Sequence, residues 1–208
     1  MTEISIYDFD KTIYDGNSSH DFYIYCMKKY PKAWRSIWWQ LWGFIKYTFN
    51  LIKLTEFKSH IFSYVKYIDN IDSVAENFWS NHKHKIKDWY LIKDHSNDVI
   101  ISASPEFILE KICYDHLKVK LLIGTKADKL TGKISGNNCY GNQKVCRLNE
   151  KMKEYKIVEF YSDCLSDEPL ALLAEKKYIV VDNDFVDWIQ YSSNNKRKKQ
   201  SHYLFKEE

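Results

Sequence analysis

Two acidic residues that directly follow the first apolar run constrain this chain more than any other feature. Residues 4–7 are typical of a strand, and Asp8, Asp10 and Thr12 follow them at two-residue spacing. Because side chains alternate along extended backbone, both carboxylates can point out of the C-terminal edge of the strand. Ligands bind at that edge in open α/β sheets. Neighbouring acids repel each other unless a cation or a shared proton relieves them, so the pattern indicates a site for Mg²⁺.

Four further short apolar runs predict strands. They lie at residues 99–102, 120–124, 157–162 and 178–182. Their near-continuous hydrophobicity is typical of strands that are buried on both faces of a parallel sheet. Helices are predicted at 105–117, with Ser104 as the N-cap, and at 143–155 and 168–175. The alternation predicts an α/β fold with a doubly wound, Rossmann-like parallel sheet and right-handed crossovers.

The long interval between the first two predicted strands has helical periodicity instead. Apolar residues recur in it at steps of three and four: Trp34, Trp38, Leu41, Ile45, Phe49 and Ile52. We therefore expect an all-helical cap at residues 17–79, inserted into an α/β core formed by 1–16 and 80–208. A helix at 82–93 is expected to lead back into the sheet, and the turn at Gly132 predicts a small hairpin.

The aromatic stretch at residues 37–49 has two interpretations. It is too short, and too interrupted by Gln40 and Lys46, to span a bilayer, which takes about 20 apolar residues. The main interpretation is a cap helix that packs on its neighbours and over the active site. The alternative is an amphipathic helix that lies on a membrane surface, since Trp and Lys suit that interface. Peripheral membrane contact of this kind would favour a lipid phosphate as substrate.

Charge and cysteine content argue against several classes of protein. With 31 Lys and Arg against 28 Asp and Glu, the net charge is too small to produce a positive electrostatic potential over the whole protein that would favour a nucleic-acid partner. The five cysteines form no C-x-x-C pair, so free thiols in a reducing compartment fit better than disulfides or a zinc site. No signal peptide is recognisable, so a cytoplasmic location is expected. The basic cluster at residues 196–199 is interpreted as part of a solvated tail.

Four elements that could carry chemistry follow one another at predicted strand ends or helix starts. In chain order they are Asp8, Asp10 and Thr12, then Ser102, then Lys144, then Asp163 and Asp167. Phosphoryl transfer from a monoester requires such parts, because its barrier is lowered mainly by positioning and by neutralising charge on the phosphoryl oxygens. A carboxylate can act as the nucleophile, carboxylates can hold Mg²⁺, and Lys and Ser can hold the phosphate.

In this order the motifs resemble those of a known family. The chain resembles a phosphatase of the haloacid dehalogenase superfamily, in the helical-cap branch to which phosphoserine phosphatases belong. DFDKT is similar to the first motif of that family, SAS to the second, Lys144 to the third and SDCLSD to the fourth. The stretch TGKISGNNCYGNQKVCRL resembles the hairpin-plus-lysine segment of that branch, and the similarity extends from residue 4 to residue 182.

The resemblance implies a role for each of these residues. Asp8 would attack phosphorus and become an aspartyl phosphate, and Asp10 would protonate the leaving alkoxide and then deprotonate water. Ser102 and Lys144 would hold the phosphate, with Thr12 fixing the loop beside them. The metal residues would be Asp8, Asp10 through its backbone carbonyl, Asp163, and Asp167 through the metal-bound waters.

The resemblance also implies a small-molecule or lipid phosphomonoester as substrate. Phosphoserine is less favoured, because Asn17 stands where phosphoserine phosphatases have an acid. Two alternatives stay open: a phosphotransferase or mutase that uses the same intermediate, and a non-catalytic module that binds a phospholigand or a membrane. The sequence does not specify the oligomeric state.

Overall fold

The computed structural model describes residues 1–194, and the strands in that range form one sheet. They are β1 (Thr2–Tyr7), β2 (Asp98–Pro105), β3 (Leu121–Thr125), β4 (Tyr155–Ser162), β5 (Ala174–Val181) and β6 (Asp184–Asp187). The order across the sheet is β3-β2-β1-β4-β5-β6, and every neighbouring pair is parallel except β5 and β6. The predicted doubly wound α/β fold is therefore confirmed, with β1 at its centre.

Helices of very different lengths cover the sheet. They are α1 (Ser18–Lys29), α2 (Ile37–Thr48), α3 (Leu54–Ile61), α4 (Ile71–His82), α5 (Asp88–Leu91), α6 (Glu106–Glu110), α7 (Asn142–Lys151) and α8 (Glu168–Ala171). Short 3₁₀ segments occupy Pro31–Ser36, Phe62–Tyr67, Lys83–Lys85 and Leu165–Asp167, and Lys111–His116 is π-helical. Residues 188–194 form a further helical stretch.

Both faces of the sheet are buried. Ile4 and Ile6 of β1 pack in one apolar cluster with α7 and α8, whereas Tyr7 packs in a second cluster with α1, α4 and α6. This alternation follows from the two-residue period of a strand. Burial on both faces explains why the strands are almost continuously apolar in sequence.

The chain between β1 and β2 is helical, as predicted, and contains no strand in the described structure beyond isolated bridges. Part of this region packs tightly on the rest of the protein. The indole nitrogen of Trp79 on α4 donates to the carbonyl oxygen of Ile108 at 2.6 Å, and the rings of Phe22 and Phe107 are 6.3 Å apart. The division into a core and a cap at residues 17 and 79 stays a prediction.

Some predicted helix boundaries are wrong because strand pairing extends into them. Ser104 does not cap a helix, since β2 continues to Pro105 and α6 starts at Glu106. The predicted helix at 168–175 ends at Ala171, because Ala174 already pairs with Ile157 in the sheet. The helix predicted at 143–155 ends at Lys151.

Three further local features differ from, or refine, the sequence predictions. Residues 82–93 are not one helix, because Ile86 forms an antiparallel bridge with Tyr14 between Lys83–Lys85 and α5. The antiparallel edge strand β6 was not predicted. The hairpin expected near Gly132 is present as a tight turn closed by one antiparallel bridge between Ala127 and Ile134.

The five cysteines are free thiols, as predicted. Within residues 1–194 no helix has both the length and the apolar character needed to cross a membrane. The basic cluster at 196–199 lies outside the described residues.

Candidate active site

The predicted site residues meet at the C-terminal ends of the central strands. A cavity of about 190 Å³ lies there, and its lining includes Asp8, Asp10, Lys11, Asn17, Ser102, Lys144, Asp163 and Asp167. Four separate segments of the chain contribute to this lining: the loop after β1, the end of β2, the start of α7 and the loop after β4. Parallel strands bring these segments together because all of their carboxyl ends lie at one edge of the sheet.

A buried lysine connects two of the acids. Lys144 Nζ lies 2.7 Å from Asp8 Oδ1 and 2.6 Å from Asp167 Oδ2, and all three residues are buried. Burial by itself lowers the pKa of Lys144, but the charges of Asp8 and Asp167 outweigh it and raise that pKa above its usual value. The lysine is therefore a fixed positive charge at the back of the cavity.

Asp8 occupies the environment expected of a carboxylate that reacts. Burial raises its pKa to about 7; the Lys144 charge opposes this rise, and the Asp167 charge adds to it. Its backbone N–H donates to the carbonyl oxygen of Tyr161 at 2.9 Å, which fixes the start of the loop against β4. A cation in the cavity would favour the ionised form of Asp8, because opposite charge lowers the pKa of a carboxyl.

Hydroxyl and amide donors hold both oxygens of Asp10. The backbone N–H of Ser18 donates to Oδ1 at 2.6 Å, and the hydroxyl of Ser104 lies 2.5 Å from Oδ2. The hydroxyl of Ser19 donates in turn to that of Ser104 at 2.7 Å. Burial raises the pKa of Asp10, and the hydrogen bonds from Ser104 and Ser18 oppose that rise.

Sequence reasoning missed Ser104 and Ser18 as parts of the site. Ser104 was interpreted as a helix cap, although its position two residues after Ser102 on extended backbone places both hydroxyls on one side of β2. That spacing could have indicated its role. Ser18 contributes through its backbone N–H. A backbone contact cannot be predicted from the type of residue, because every residue except proline has this donor.

Of the remaining predicted residues, some line the cavity and one holds the loops around it together. Ser102 lines the cavity, and its hydroxyl accepts from the backbone N–H of Ser104 at 3.1 Å. Thr12 is fully buried outside the lining, where its hydroxyl accepts from the backbone N–H of Asp163 at 3.0 Å. This contact ties the loop after β1 to the loop after β4. Burial raises the pKa of Asp163, while the charge of exposed Lys11 opposes the rise.

The donor set fits a hard divalent cation. Asp167 Oδ1 is buried and has no hydrogen-bond partner in the structure, and four carboxylates face one buried lysine around the cavity. Across residues 1–194 no three His, Cys, Asp or Glu side chains form a ready metal cage. Mg²⁺ does not need such a cage, because it keeps several waters and takes only one or two carboxylates together with substrate phosphate.

A larger chamber of about 450 Å³ adjoins the acidic cavity. Asp10, Asn17 and Ala103 line both, and residues of α1, α2 and α3 form the outer wall of the chamber. Lys58 of α3 lies in that wall, where burial lowers its pKa and its Nζ donates to Asn138 Oδ1 at 2.7 Å. Asn17 caps α1 by accepting from the backbone N–H of His20 at 2.9 Å.

Comparison with known proteins identifies the family of the chain. The sequence family of the haloacid dehalogenase-like hydrolases matches residues 6–172 of the chain. The chain belongs to this family. The matched range begins within β1 and ends just after α8, so it contains every residue assigned to the site above.

A curated relative matches a shorter range of the chain. The protein CicA of Caulobacter vibrioides is 36% identical over 87 residues. The match covers 38% of this chain and only 39% of CicA.

Solved structures share the fold of this chain at low sequence identity. A protein of unknown function from Bordetella pertussis has a TM-score of 0.64 at 15% identity, over 86% of this chain and 90% of that one. A family hydrolase from Salmonella enterica has a TM-score of 0.55 at 10% identity, covering 84% and 61% of the chains. A probable phosphoserine phosphatase from Vibrio cholerae has 0.54 at 12%, covering 85% and 55%.

Proposed function

We propose that this hydrolase is a Mg²⁺-dependent phosphomonoester phosphatase that works through an aspartyl phosphate on Asp8. The observation that carries the proposal is the buried Asp8–Lys144–Asp167 arrangement, with a second, separately held acid, Asp10, on the same cavity. A nucleophile held by a fixed cation and an adjacent proton carrier are the two groups that a double displacement at phosphorus requires.

The first step forms the covalent intermediate. An oxygen of Asp8 attacks phosphorus, the bond from phosphorus to the ester oxygen breaks, and protonated Asp10 gives its proton to the leaving alkoxide. Burial favours the protonated form of Asp10 that this step needs. Lys144 and the hydroxyl of Ser102 stabilise the charge that builds up on the phosphoryl oxygens.

The second step releases phosphate. Asp10, now ionised, removes a proton from water; the oxygen of that water attacks phosphorus, and the acyl phosphate bond to Asp8 breaks. The hydrogen bonds from Ser104 and Ser18 stabilise the ionised Asp10 that acts as base. The cycle ends with Asp8 ionised beside Lys144 and with Asp10 protonated, ready for the next substrate.

Mg²⁺ would be held by Asp8, the backbone carbonyl of Asp10 and Asp163, with Asp167 accepting from its waters. When bound, it supplies positive charge that offsets repulsion between the phosphoryl oxygens and the attacking carboxylate. Asp167 Oδ1 is buried and has no hydrogen-bond partner among residues 1–194, so it is a suitable acceptor for a metal-bound water.

The 450 Å³ chamber is the proposed site for the leaving group. It meets the acidic cavity at Asp10, the residue that must reach the ester oxygen. The wall of the chamber offers polar groups together with aromatic surface from Tyr23 and Phe62. This mixture suits a small-molecule or lipid phosphomonoester.

Replacing Asp8 with Asn tests the proposal. We expect Asp8→Asn to reduce Mg²⁺-dependent hydrolysis of p-nitrophenyl phosphate to background, because a neutral amide cannot form the acyl phosphate. Asp184→Asn, at an exposed position of β6, is the matched control and should keep wild-type turnover. Retained turnover in Asp8→Asn would refute the nucleophile assignment.

A further inference from the structure

Helix α2 exposes its apolar side to solvent. Trp38 is 79% exposed, and Leu41, Trp42 and Ile45 are each about half exposed, at the three- and four-residue steps that place side chains on one face of a helix. Phe49, directly after the helix, is 71% exposed. Burial against neighbouring helices, the main expectation for this stretch, is therefore wrong for this face.

The opposite side of α2 attaches the helix to the protein through polar and small groups as well as ring contacts, since Tyr47 stacks on Phe57 of α3 at 4.7 Å. Gln40 accepts from the hydroxyl of Tyr23 at 2.9 Å and donates to the backbone carbonyl of Ile61 at 3.1 Å. Gly43 is the buried residue of the helix, and a Cβ there would lie 2.4 Å from His60 Cβ. A surface helix of a water-soluble protein usually turns its large apolar side chains inward, whereas α2 leaves several of them exposed.

The stretch of chain that contains this face carries charge of one sign. From residue 22 to residue 55 the sequence contains no Asp or Glu, whereas its basic residues are Lys28, Lys29, Lys32, Arg35, Lys46 and Lys53. Lys46 Nζ lies 5.5 Å from the centre of the Trp42 ring, and Lys66 Nζ lies 5.9 Å from that of Trp39. Ammonium groups therefore lie beside the exposed aromatic rings.

We propose that the exposed face of α2 docks on an anionic lipid bilayer. Tryptophan and phenylalanine side chains favour the boundary between headgroups and acyl chains, and nearby lysines gain from negative headgroups. A neutral apolar partner surface would not account for the one-sided charge. This surface binding is independent of the proposed chemistry, because none of its residues lies in the acidic cavity.

The position of α2 would bring the leaving-group chamber close to the lipid surface. Gln40, on the inner side of α2, lines that chamber, and the exposed face lies on the other side of the same helix. A docked enzyme would thus hold its chamber one helix away from the headgroups.

Vesicle co-sedimentation of the full chain tests the docking. We expect binding to vesicles of phosphatidylcholine mixed with phosphatidylglycerol, much weaker binding to phosphatidylcholine alone, and release at high salt. Trp38→Glu should weaken binding by about tenfold or more, because it replaces the most exposed ring with a negative charge. Ile92→Glu is the matched control, since Ile92 is 84% exposed and directly follows α5 rather than belonging to α2.

The outcomes separate docking from its competitors. Unchanged far-ultraviolet circular dichroism and unchanged p-nitrophenyl phosphate turnover in both variants would show that the fold is intact. Failure of wild type to bind anionic vesicles, or equal binding by Trp38→Glu, would overturn the proposal. So would a dimer in light scattering that Trp38→Glu dissociates without any vesicle binding, since the surface would then belong to a second copy of the chain. Loss of turnover in Asp8→Asn with vesicle binding retained would keep the two proposals distinct.

Discussion

At the scale of single residues, the site is built by burying more negative charge than the protein neutralises. Lys144 pairs with Asp8 and Asp167, whereas Asp10 and Asp163 form no ion pair with any Lys, Arg or His among residues 1–194. Removing a carboxylate from water disfavours its charged form, so burial raises the pKa values of Asp10 and Asp163, and that of Asp8 even beside Lys144. A divalent cation bound in the cavity would reduce the repulsion among these carboxylates. The cavity is therefore suited to the proposed metal-dependent chemistry.

Removing the hydroxyl of Ser104 should change the pH dependence of the reaction. The hydroxyl stabilises ionised Asp10, so Ser104→Ala should raise the pKa of Asp10 further. The acid limb of the kcat profile should then move to higher pH by about half a unit to one unit, because breakdown of the intermediate needs ionised Asp10. Ser104→Thr keeps a hydroxyl and should restore the limb. A profile that does not move in Ser104→Ala would show that the contact is only structural.

At the scale of elements, a tight turn attaches the hairpin at residues 127–134 to the segment after α3. Gly132 has φ near +72°, and a Cβ on it would lie 2.0 Å from the carbonyl oxygen of Phe62. The nearby Gly136 has almost the same φ, +74°, yet a Cβ there would meet nothing within 4 Å. The two glycines therefore differ in surroundings while sharing nearly the same φ.

This difference gives a controlled prediction on stability. Gly136→Ala should lower the free energy of unfolding by about 1 kcal/mol, the cost of a side chain at positive φ. Gly132→Ala should lower it by about 2 to 4 kcal/mol, because the backbone of Phe62 must also move. Urea denaturation of both variants measures the two values. Equal losses would show that the hairpin does not press on Phe62 in solution.

The sequence largely predicted which segments are strands and which are helices, but it did not predict which side of a helix packs against the protein. The strands and the order of the site residues followed from short apolar runs that end in polar side chains, as at Asp8 and Ser102. Periodicity predicted that residues 37–48 are helical, but it did not reveal that Gln40 and Gly43 face inward while Trp38, Leu41, Trp42 and Ile45 stay exposed. That orientation depends on which neighbours supply hydrogen-bond partners, and these partners are distant in sequence.

At the scale of the whole molecule, the acidic cavity should couple metal binding and pH to stability. The pKa of Asp8 in the folded protein, about 7, exceeds its ordinary value of 3.8. Between pH 3.8 and about 7, Asp8 is therefore protonated in the folded state and ionised in the unfolded state. The free energy of unfolding should fall as the pH rises through that range. A cation that binds only the folded state should reverse the loss.

Thermal unfolding with a chelator present tests this coupling. We expect the Tm of the wild type, relative to that of Asp8→Asn, to fall as the pH rises from about 5 to about 8, because only the wild type loses that proton. Adding Mg²⁺ should raise the Tm of the wild type and remove most of the difference. A Tm difference that is constant with pH in the chelator would mean that Asp8 has an ordinary pKa in the folded protein.

The central claim is that Asp8 becomes phosphorylated, and chemical trapping of the intermediate tests it most directly. Turnover with Mg²⁺ and p-nitrophenyl phosphate is quenched in acid, and sodium borohydride then reduces any acyl phosphate to an alcohol. Peptide mass spectrometry should find homoserine at position 8 in the wild type, with unmodified aspartate at Asp10, Asp163 and Asp167. Reduction at one of these other carboxylates, or steady turnover with residue 8 unmodified, would contradict the account.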